Sequence, residues 1–170
     1  NYVLEGNLNY TGAVITWLKD DLELISSAAE TEALANKAVK EDGLYLVPAF
    51  SGLGAPYWDS DARAAIVGMS RTTRKAELVR AALECIAYQI TDVVKAMSED
   101  SKICIGQLCV DGGPTRNAYL MQFQSDLLTA DVMVPNAEEL SAIGPAYAAG
   151  LRLGLWDETI FTKLKRTAYK

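Results

Sequence analysis

The chain has 170 residues, half of them hydrophobic, and its 16 Lys and Arg against 22 Asp and Glu give a formal net charge of -6. A chain of this size and composition can bury one core, so we expect a single domain over residues 1–170 without long disorder. The acidic balance and the scattered basic residues argue against nucleic acid and anionic membranes as partners, and no apolar run is long enough to span a bilayer.

The chain contains no histidine. This excludes a Ser-His or Cys-His dyad and any histidine-ligated zinc or iron site within it. The three cysteines, Cys85, Cys104 and Cys109, show no pairing pattern, so we expect reduced, buried thiols in a cytoplasmic protein. The chain opens with Asn1 and without a signal segment, which favours a domain of a longer protein.

The first third of the chain alternates between strand and helix patterns. Residues 2–6 alternate like a short strand, and apolar residues then recur at helical spacing over about four turns, from Ala13 to Ile25. A second helix is predicted over residues 30–39, and the apolar run 44–47 predicts a buried strand. Residues 48–61 form an ordered loop whose three aromatic residues either plug an edge of the domain or line a cleft.

The remainder continues the alternation. Residues 64–69 predict a strand, and Thr72 or Thr73 is expected to cap the longest helix, whose apolar stripe from Val79 to Met97 packs against a sheet. Strands are predicted at 103–110 and 131–134, and helices at 117–128 and 143–153. Glu158 begins what looks like a further element cut short. Alternating strands and helices indicate an α/β fold.

One junction between a strand and a helix carries the strongest local signal for a ligand. The apolar strand that ends at Val110 is followed by Asp111, Gly112 and Gly113, with Asn117 in the first turn of the next helix. Glycines let the backbone approach a ligand closely, and a helix N-terminus favours phosphate or polar groups. The pattern alone also fits a tight connection without a ligand, so it indicates a nucleotide site only together with other motifs.

Several separate segments supply that context, in the same order as in a known family. The chain resembles the C-terminal domain of the FGGY family of carbohydrate kinases over nearly all of its 170 residues. The segments that carry the resemblance are 2–6, 12–20, 47–59, 64–69, 77–84, 110–113, 117 and 120–126.

The resemblance implies an actin-like ATPase (ribonuclease H-like) lobe, an α/β fold with a mixed sheet and helices on both faces. It implies ATP with Mg²⁺ as the cofactors, and as partners the protein's own N-terminal kinase lobe and a polyol such as glycerol, bound mainly by that lobe. The general base and the loop that grips the γ-phosphate lie upstream in such kinases. We therefore expect no catalytic residue and no metal ligand in this chain, and no activity of the chain alone.

Six positions match nucleotide-contacting positions of the family. Gly12 resembles the glycine that approaches the nucleotide from one side, and Gly113 and Asn117 resemble the contacts from the other side. Ile15 and Ala28 would border the adenine more loosely. Thr16 departs from the pattern, because family members commonly carry glutamine there, and its short hydroxyl cannot reproduce the reach of an amide.

Other readings of the sequence stay open. The polyol contacts lie outside the chain, so the substrate could be another sugar, as in a xylulose or gluconate kinase. A non-catalytic ATP sensor or partner-binding module of the same fold, or a homo-oligomer formed through the apolar helix faces, is also compatible with the pattern. Among the acids, Glu84 is expected as a buried hydrogen-bonding partner, Asp59 and Asp61 as braces of the aromatic loop, and Asp111 as a brace of the glycine turn rather than a Mg²⁺ ligand.

Overall fold

A computed structural model of the protein describes residues 3–39, 43–137 and 140–170. The helices of these residues are α1 (Gly12–Thr16), α2 (Glu30–Lys37), α3 (Lys75–Ser101), α4 (Ala118–Leu128) and α5 (Leu140–Arg152). The strands are β1 (Tyr45–Val47), β2 (Ala65–Val67), β3 (Gln107–Cys109), β4 (Asp131–Pro135) and β5 (Arg166–Tyr169). Two 3₁₀ turns, Gly113–Arg116 and Glu158–Lys163, lie before α4 and β5.

The described strands form two sheets. In the first, β1 pairs antiparallel with β2, with Leu46 opposite Ile66. In the second, the strand order is β3-β4-β5, where β3 and β4 are parallel and β5 is antiparallel to β4. This second sheet is mixed, as predicted. The carboxyl end of β3 leads directly into the glycine turn, which is the edge of an α/β sheet where ligands usually bind.

The long helix α3 is the centre of the core. It packs against α2, α4 and β1. The predicted apolar stripe is confirmed for its first half, where Val79, Ala82, Leu83 and Ile86 are all at most 2% exposed. Further along the stripe Val93 is still buried, whereas Ile90, Val94 and Met97 are only partly buried. The core thus lies around the N-terminal half of α3, directly below the start of α4.

Several predicted strand boundaries were wrong. Residue 2 lies outside the described residues, and residues 3–6 belong to no strand, because no described strand pairs with them. The strand predicted over 103–110 is reduced to β3, since only Gln107–Cys109 pairs with β4. The strand predicted as buried at 44–47 is half-buried, because its ribbon faces the core only through alternate residues such as Leu46.

The helix predicted over residues 13–25 is shorter and less regular than expected. α1 ends at Thr16 and continues as a π-helical turn over Trp17–Asp21, after which the chain turns at Glu23 with a positive φ of 51°. Val14 and Leu18 anchor this short helix, with 0% and 1% of their surfaces exposed. The helix is therefore held by two apolar side chains rather than by a long packed face.

A further expectation about the end of an element was wrong. The start of α3 is capped by neither Thr72 nor Thr73, since the side chain of Glu77 accepts a hydrogen bond from the backbone N–H of Arg74, the residue that precedes the helix. The segment that follows Glu158 forms a 3₁₀ turn and the strand β5, which pairs with β4 at the edge of the second sheet.

Candidate functional site

A pocket of about 500 Å³ opens between α1, α2 and α4. Its floor is apolar, formed by Leu83 and Ile86 of α3 and Leu120 of α4, all at most 2% exposed. Pockets of this volume with mainly apolar walls are typical of small-molecule and cofactor sites. We call Gly12, Ile15, Thr16, Lys19 and Asp20 the α1 wall, and Ala28, Thr31, Glu32, Gly113 and Asn117 the α2–α4 wall.

All six positions singled out from the sequence line this one pocket. They come from three separate segments of the chain, which the fold brings together. Gly12 and Gly113 lie on opposite walls, and a methyl group built on either glycine would meet no other atom within 4 Å. Both glycines therefore border open space, where backbone can approach a ligand without a side chain in between.

Asn117 is held by two hydrogen bonds within the α2–α4 wall. Its Oδ1 accepts from the backbone N–H of Leu120 at 2.9 Å, which caps α4, and its Nδ2 donates to Oγ1 of Thr31 at 3.0 Å. The Thr31 hydroxyl in turn donates to the carbonyl oxygen of Ala28 at 2.6 Å. The amide of Asn117 thus links the start of α4 to α2 and orients the pocket wall.

Glu32 is a pocket residue that the sequence did not single out. Its Oε2 accepts a hydrogen bond from the backbone N–H of Ala118, the first residue of α4, at 2.9 Å. A carboxylate at a helix N-terminus is favoured by the unpaired N–H groups and the dipole there. Its partner lies 86 residues away along the chain. No local pattern could have revealed this contact. The nearest signal in the sequence is that Glu32 lies four residues after Ala28, which the family resemblance places near the adenine.

The α1 wall has a different construction. The Thr16 hydroxyl is directed back to the carbonyl oxygen of Gly12, one turn earlier, at 3.4 Å. Lys19 and Asp20 form an exposed ion pair at 2.9 Å, a type of contact that contributes little to stability. Among the charged residues that line the pocket, Lys19 and Arg116 balance Asp20 and Glu32, so the site carries no strong net charge.

A buried polar cluster supports the α2–α4 wall from behind. Glu77 Oε1 accepts from the backbone N–H of Val39 at 3.1 Å, and Arg80 donates to the Val39 carbonyl oxygen. The hydrogen bond from Val39 holds the pKa of Glu77 below its ordinary value, although burial acts in the opposite direction. The two side chains of α3 thereby fix the segment that follows α2.

The same cluster accounts for Glu84. Its Oε1 lies 3.4 Å from Nε of Arg80 and accepts a hydrogen bond of 2.6 Å from the Tyr119 hydroxyl. Burial raises the pKa of Tyr119 above its usual range, and the hydrogen bond to Glu84 raises it further. The prediction that Glu84 is a hydrogen-bonding partner within the structure is confirmed, although the residue is only partly buried.

The aromatic loop does not line the large pocket. Phe50 packs against Tyr10 and Trp17, with ring centroids 5.1 and 5.0 Å apart, whereas Trp58 is 79% exposed. Asp59 braces the loop as predicted, because its Oδ1 accepts from the backbone N–H groups of Asp61 and Ala62. The loop therefore covers the outer side of α1.

Other candidate residues have simpler roles. Asp111 is exposed beside the glycine turn. Within the described ranges, no group of three or more Cys, Asp and Glu side chains is arranged to hold a metal ion. The cysteine prediction was partly wrong: all three thiols are unpaired and Cys85 is buried, but Cys104 and Cys109 are exposed. Cys104 lies before β3, and Cys109 is on the exposed face of β3, which alternates with Leu108. None of the helices that the structure describes is long and apolar enough to cross a membrane.

Comparisons with known proteins agree with this picture. Residues 1–153 match the model for the FGGY family of carbohydrate kinases, C-terminal domain. A glycerol kinase from Petrotoga mobilis is 52% identical over 170 residues, which cover 99% of this chain and 34% of that protein. The chain thus spans about a third of the length of the curated relatives that it matches.

Solved structures show the same likeness. A crystal structure of Plasmodium falciparum glycerol kinase with ADP has a TM-score of 0.84 and 35% identity, and the match covers 93% of this chain and 32% of that one. Xylulose kinase from Rhodospirillum rubrum has a TM-score of 0.74 and 26% identity, over 94% of this chain and 33% of that one. These structures confirm the fold class expected from the sequence, an α/β lobe of the actin-like ATPase type.

Proposed function

Because the chain belongs to the FGGY family of carbohydrate kinases, whose C-terminal domain it matches, we propose that it is the nucleotide-binding lobe of an ATP-dependent glycerol kinase. Such an enzyme transfers the γ-phosphoryl group of ATP to a hydroxyl of glycerol. The bond between the γ-phosphorus and its bridging oxygen breaks as the glycerol oxygen bonds to phosphorus, giving ADP and glycerol 3-phosphate.

The observation that carries the proposal is the convergence of the six nucleotide-site positions on one pocket. The pocket has the volume and the apolar floor that a purine requires, and its two bordering glycines leave backbone accessible on opposite sides. In this assignment Ile15 and Ala28 border the adenine, and Gly12 and Gly113 lie against the rest of the nucleotide.

Glycerol is favoured over other sugars by the pattern of similarity. The glycerol kinase of Petrotoga mobilis is 52% identical to this chain, whereas the xylulose kinase structure is 26% identical. The polyol contacts and the general base would lie in the N-terminal lobe. The contribution of this lobe is to bind and orient the nucleotide and to exclude water when the two lobes close, which is where most of the catalysis of phosphoryl transfer arises.

Mg²⁺ in kinases is held mainly by phosphate oxygens, together with one or two carboxylates. The described residues contain no group of three or more metal-binding side chains, so this part of the lobe builds no metal site without the nucleotide. We therefore assign no residue of this chain to Mg²⁺.

The same proposal covers the location and the partners of the lobe. We infer a cytoplasmic enzyme, since the exposed, unpaired Cys104 and Cys109 suit a reducing compartment. We also infer that residues 1–170 fold as one domain that faces the N-terminal lobe. The exposed apolar side chains of the β1–β2 ribbon, among them Val67 at 57% exposure, suit a contact with that lobe or with a second subunit.

The test uses the full-length protein and the isolated 170-residue chain side by side. ADP release is measured with Mg-ATP and, in turn, glycerol, xylulose and gluconate. The full-length protein should turn over with glycerol, and the isolated chain should bind nucleotide weakly and show no turnover, because the general base and half of the cleft are missing. Turnover by the isolated chain, or a preference of the full-length protein for xylulose or gluconate, would contradict the proposal.

A further inference from the structure

Glu32 caps the start of α4 with one carboxylate oxygen, and its side chain also borders the pocket. In this cap, Glu32 accepts a hydrogen bond from the N–H of Ala118. Its second oxygen, Oε1, makes no hydrogen bond within the described part of the chain. The residue as a whole is half-buried. A half-buried acceptor without a partner is suited to a ligand that brings a donor.

The neighbouring polar groups cannot accept this hydrogen bond, because they are already hydrogen-bonded to other groups of the same wall. The amide of Asn117 bonds to Leu120 and Thr31, and the hydroxyl of Thr31 bonds to Ala28. Glu32 is thus the group of the α2–α4 wall that can offer a strong acceptor to the pocket.

Resting on the proposed function, which puts adenine against Ala28, we propose that Glu32 determines base specificity by accepting a hydrogen bond from the exocyclic amino group of adenine. Ala28 lies in the turn that leads into α2 and Glu32 in the first turn of that helix, and both residues line the pocket. A base that packs against Ala28 brings its edge toward the carboxylate.

The chemistry of the two purine classes supplies the discrimination. An ionised carboxylate only accepts hydrogen bonds, and adenine carries an amino donor at C6. Inosine and guanine carry a carbonyl oxygen at the same position, so two acceptors would face each other in a partly desolvated site. Leaving such groups unpaired costs more than the net gain of one hydrogen bond. The pocket should therefore bind ATP more tightly than ITP, by about tenfold or more.

Glu32→Gln reverses this preference without removing the helix cap. The N–H of Ala118 can bond only to the oxygen of the new amide, because the amide NH₂ is a donor. The amide NH₂ must then occupy the position that Oε1 of Glu32 has in the wild type. The variant pocket presents a donor, which matches the carbonyl of ITP and not the amino group of ATP.

The experiment measures ATP, ITP and 2′-deoxy-ATP binding to the full-length protein by calorimetry, for the wild type, Glu32→Gln and Glu30→Gln. Glu30 is the matched control: it lies in the same first turn of α2, its Oε1 accepts from the N–H of Ser26 at 3.1 Å, and it does not line the pocket. Both variants lose the same charge near the same helix end. Thermal unfolding of each variant checks that the fold is retained.

We expect the ratio of ATP to ITP affinity to fall by well over about tenfold in Glu32→Gln, so that this variant binds ITP more tightly than ATP, and to stay unchanged in Glu30→Gln. An unchanged ratio in Glu32→Gln would overturn the inference, as would a wild type that binds ITP as well as ATP, a result that needs no variant. A wild type that selects against 2′-deoxy-ATP, with that selection lost in Glu32→Gln, would assign Glu32 to the ribose instead and also overturn it. A wild type that binds none of the nucleotides would contradict the proposed function itself.

Discussion

The two walls of the pocket are held in place by different forces. In the α2–α4 wall, Asn117, Thr31 and Glu32 are joined by hydrogen bonds that cross between helices far apart in sequence. In the α1 wall, the hydrogen bond of Thr16 reaches only Gly12, and burial of Val14 and Leu18 supplies the attachment. The side chains of the α2–α4 wall are therefore held in position before a ligand binds. In the α1 wall, a substitution on the pocket side leaves the buried Val14 and Leu18 in place.

This difference predicts that damage behind the α2–α4 wall is costly to the fold, whereas changes at Gly113 and Thr16, which line the pocket but hold neither wall in place, alter only binding. The largest effect is expected at Arg80, whose side chain reaches both Val39 and Glu84. Arg80→Ala would leave the largely buried Glu84 carboxylate without its ion-pair partner and would remove the hydrogen bond to the Val39 carbonyl. We expect the free energy of unfolding to fall by about 3 kcal/mol or more.

Urea unfolding of the full-length protein measures this loss, with the exposed Arg71→Ala as the control. The control should change stability by no more than about 0.5 kcal/mol. Equal losses in the two variants would show that the polar cluster does not support the wall.

A smaller effect, on binding alone, is expected at Gly113. A methyl group there meets nothing within 4 Å, so Gly113→Val should fold normally and place its side chain in the pocket. We expect the apparent ATP requirement of the full-length kinase to rise by about tenfold, which corresponds to about 1.4 kcal/mol. Gly106→Val is the matched control, since Gly106 is equally unobstructed but lies outside the pocket lining. Unchanged ATP affinity in Gly113→Val would show that Gly113 shapes the turn but does not contact the nucleotide.

The smallest effect is expected at Thr16, in the α1 wall. The family commonly carries glutamine at this position, and helical spacing puts residues 12 and 16 on one face toward the pocket. Thr16→Gln should tighten ATP binding by about 0.5–1.5 kcal/mol, the net contribution of one hydrogen bond. Calorimetry with saturating Mg²⁺ tests this, and Thr16→Ala, which adds no amide, should not tighten binding. Weaker or unaltered binding by Thr16→Gln would count against the contact.

The sequence alone was a good guide where the signal is local. The periodicity of α3 and α4 and the glycine turn after β3 depend on neighbouring residues, and the structure has them as predicted, with Asn117 as the cap of α4 rather than in its first turn. The six pocket positions were found through a family motif, which carries tertiary information that spacing alone does not.

The tertiary structure decided the features that depend on distant partners. A strand exists only where another strand pairs with it, so residues 3–6 remained unpaired while the tail formed β5 against β4. The cap of α3 came from Glu77, and Cys109 is exposed because it lies on the outer face of β3. Glu32 became a pocket residue through a backbone N–H 86 residues away. Hydrogen bonds and burial of this kind are set by the packing of whole elements, which no window of neighbouring residues contains.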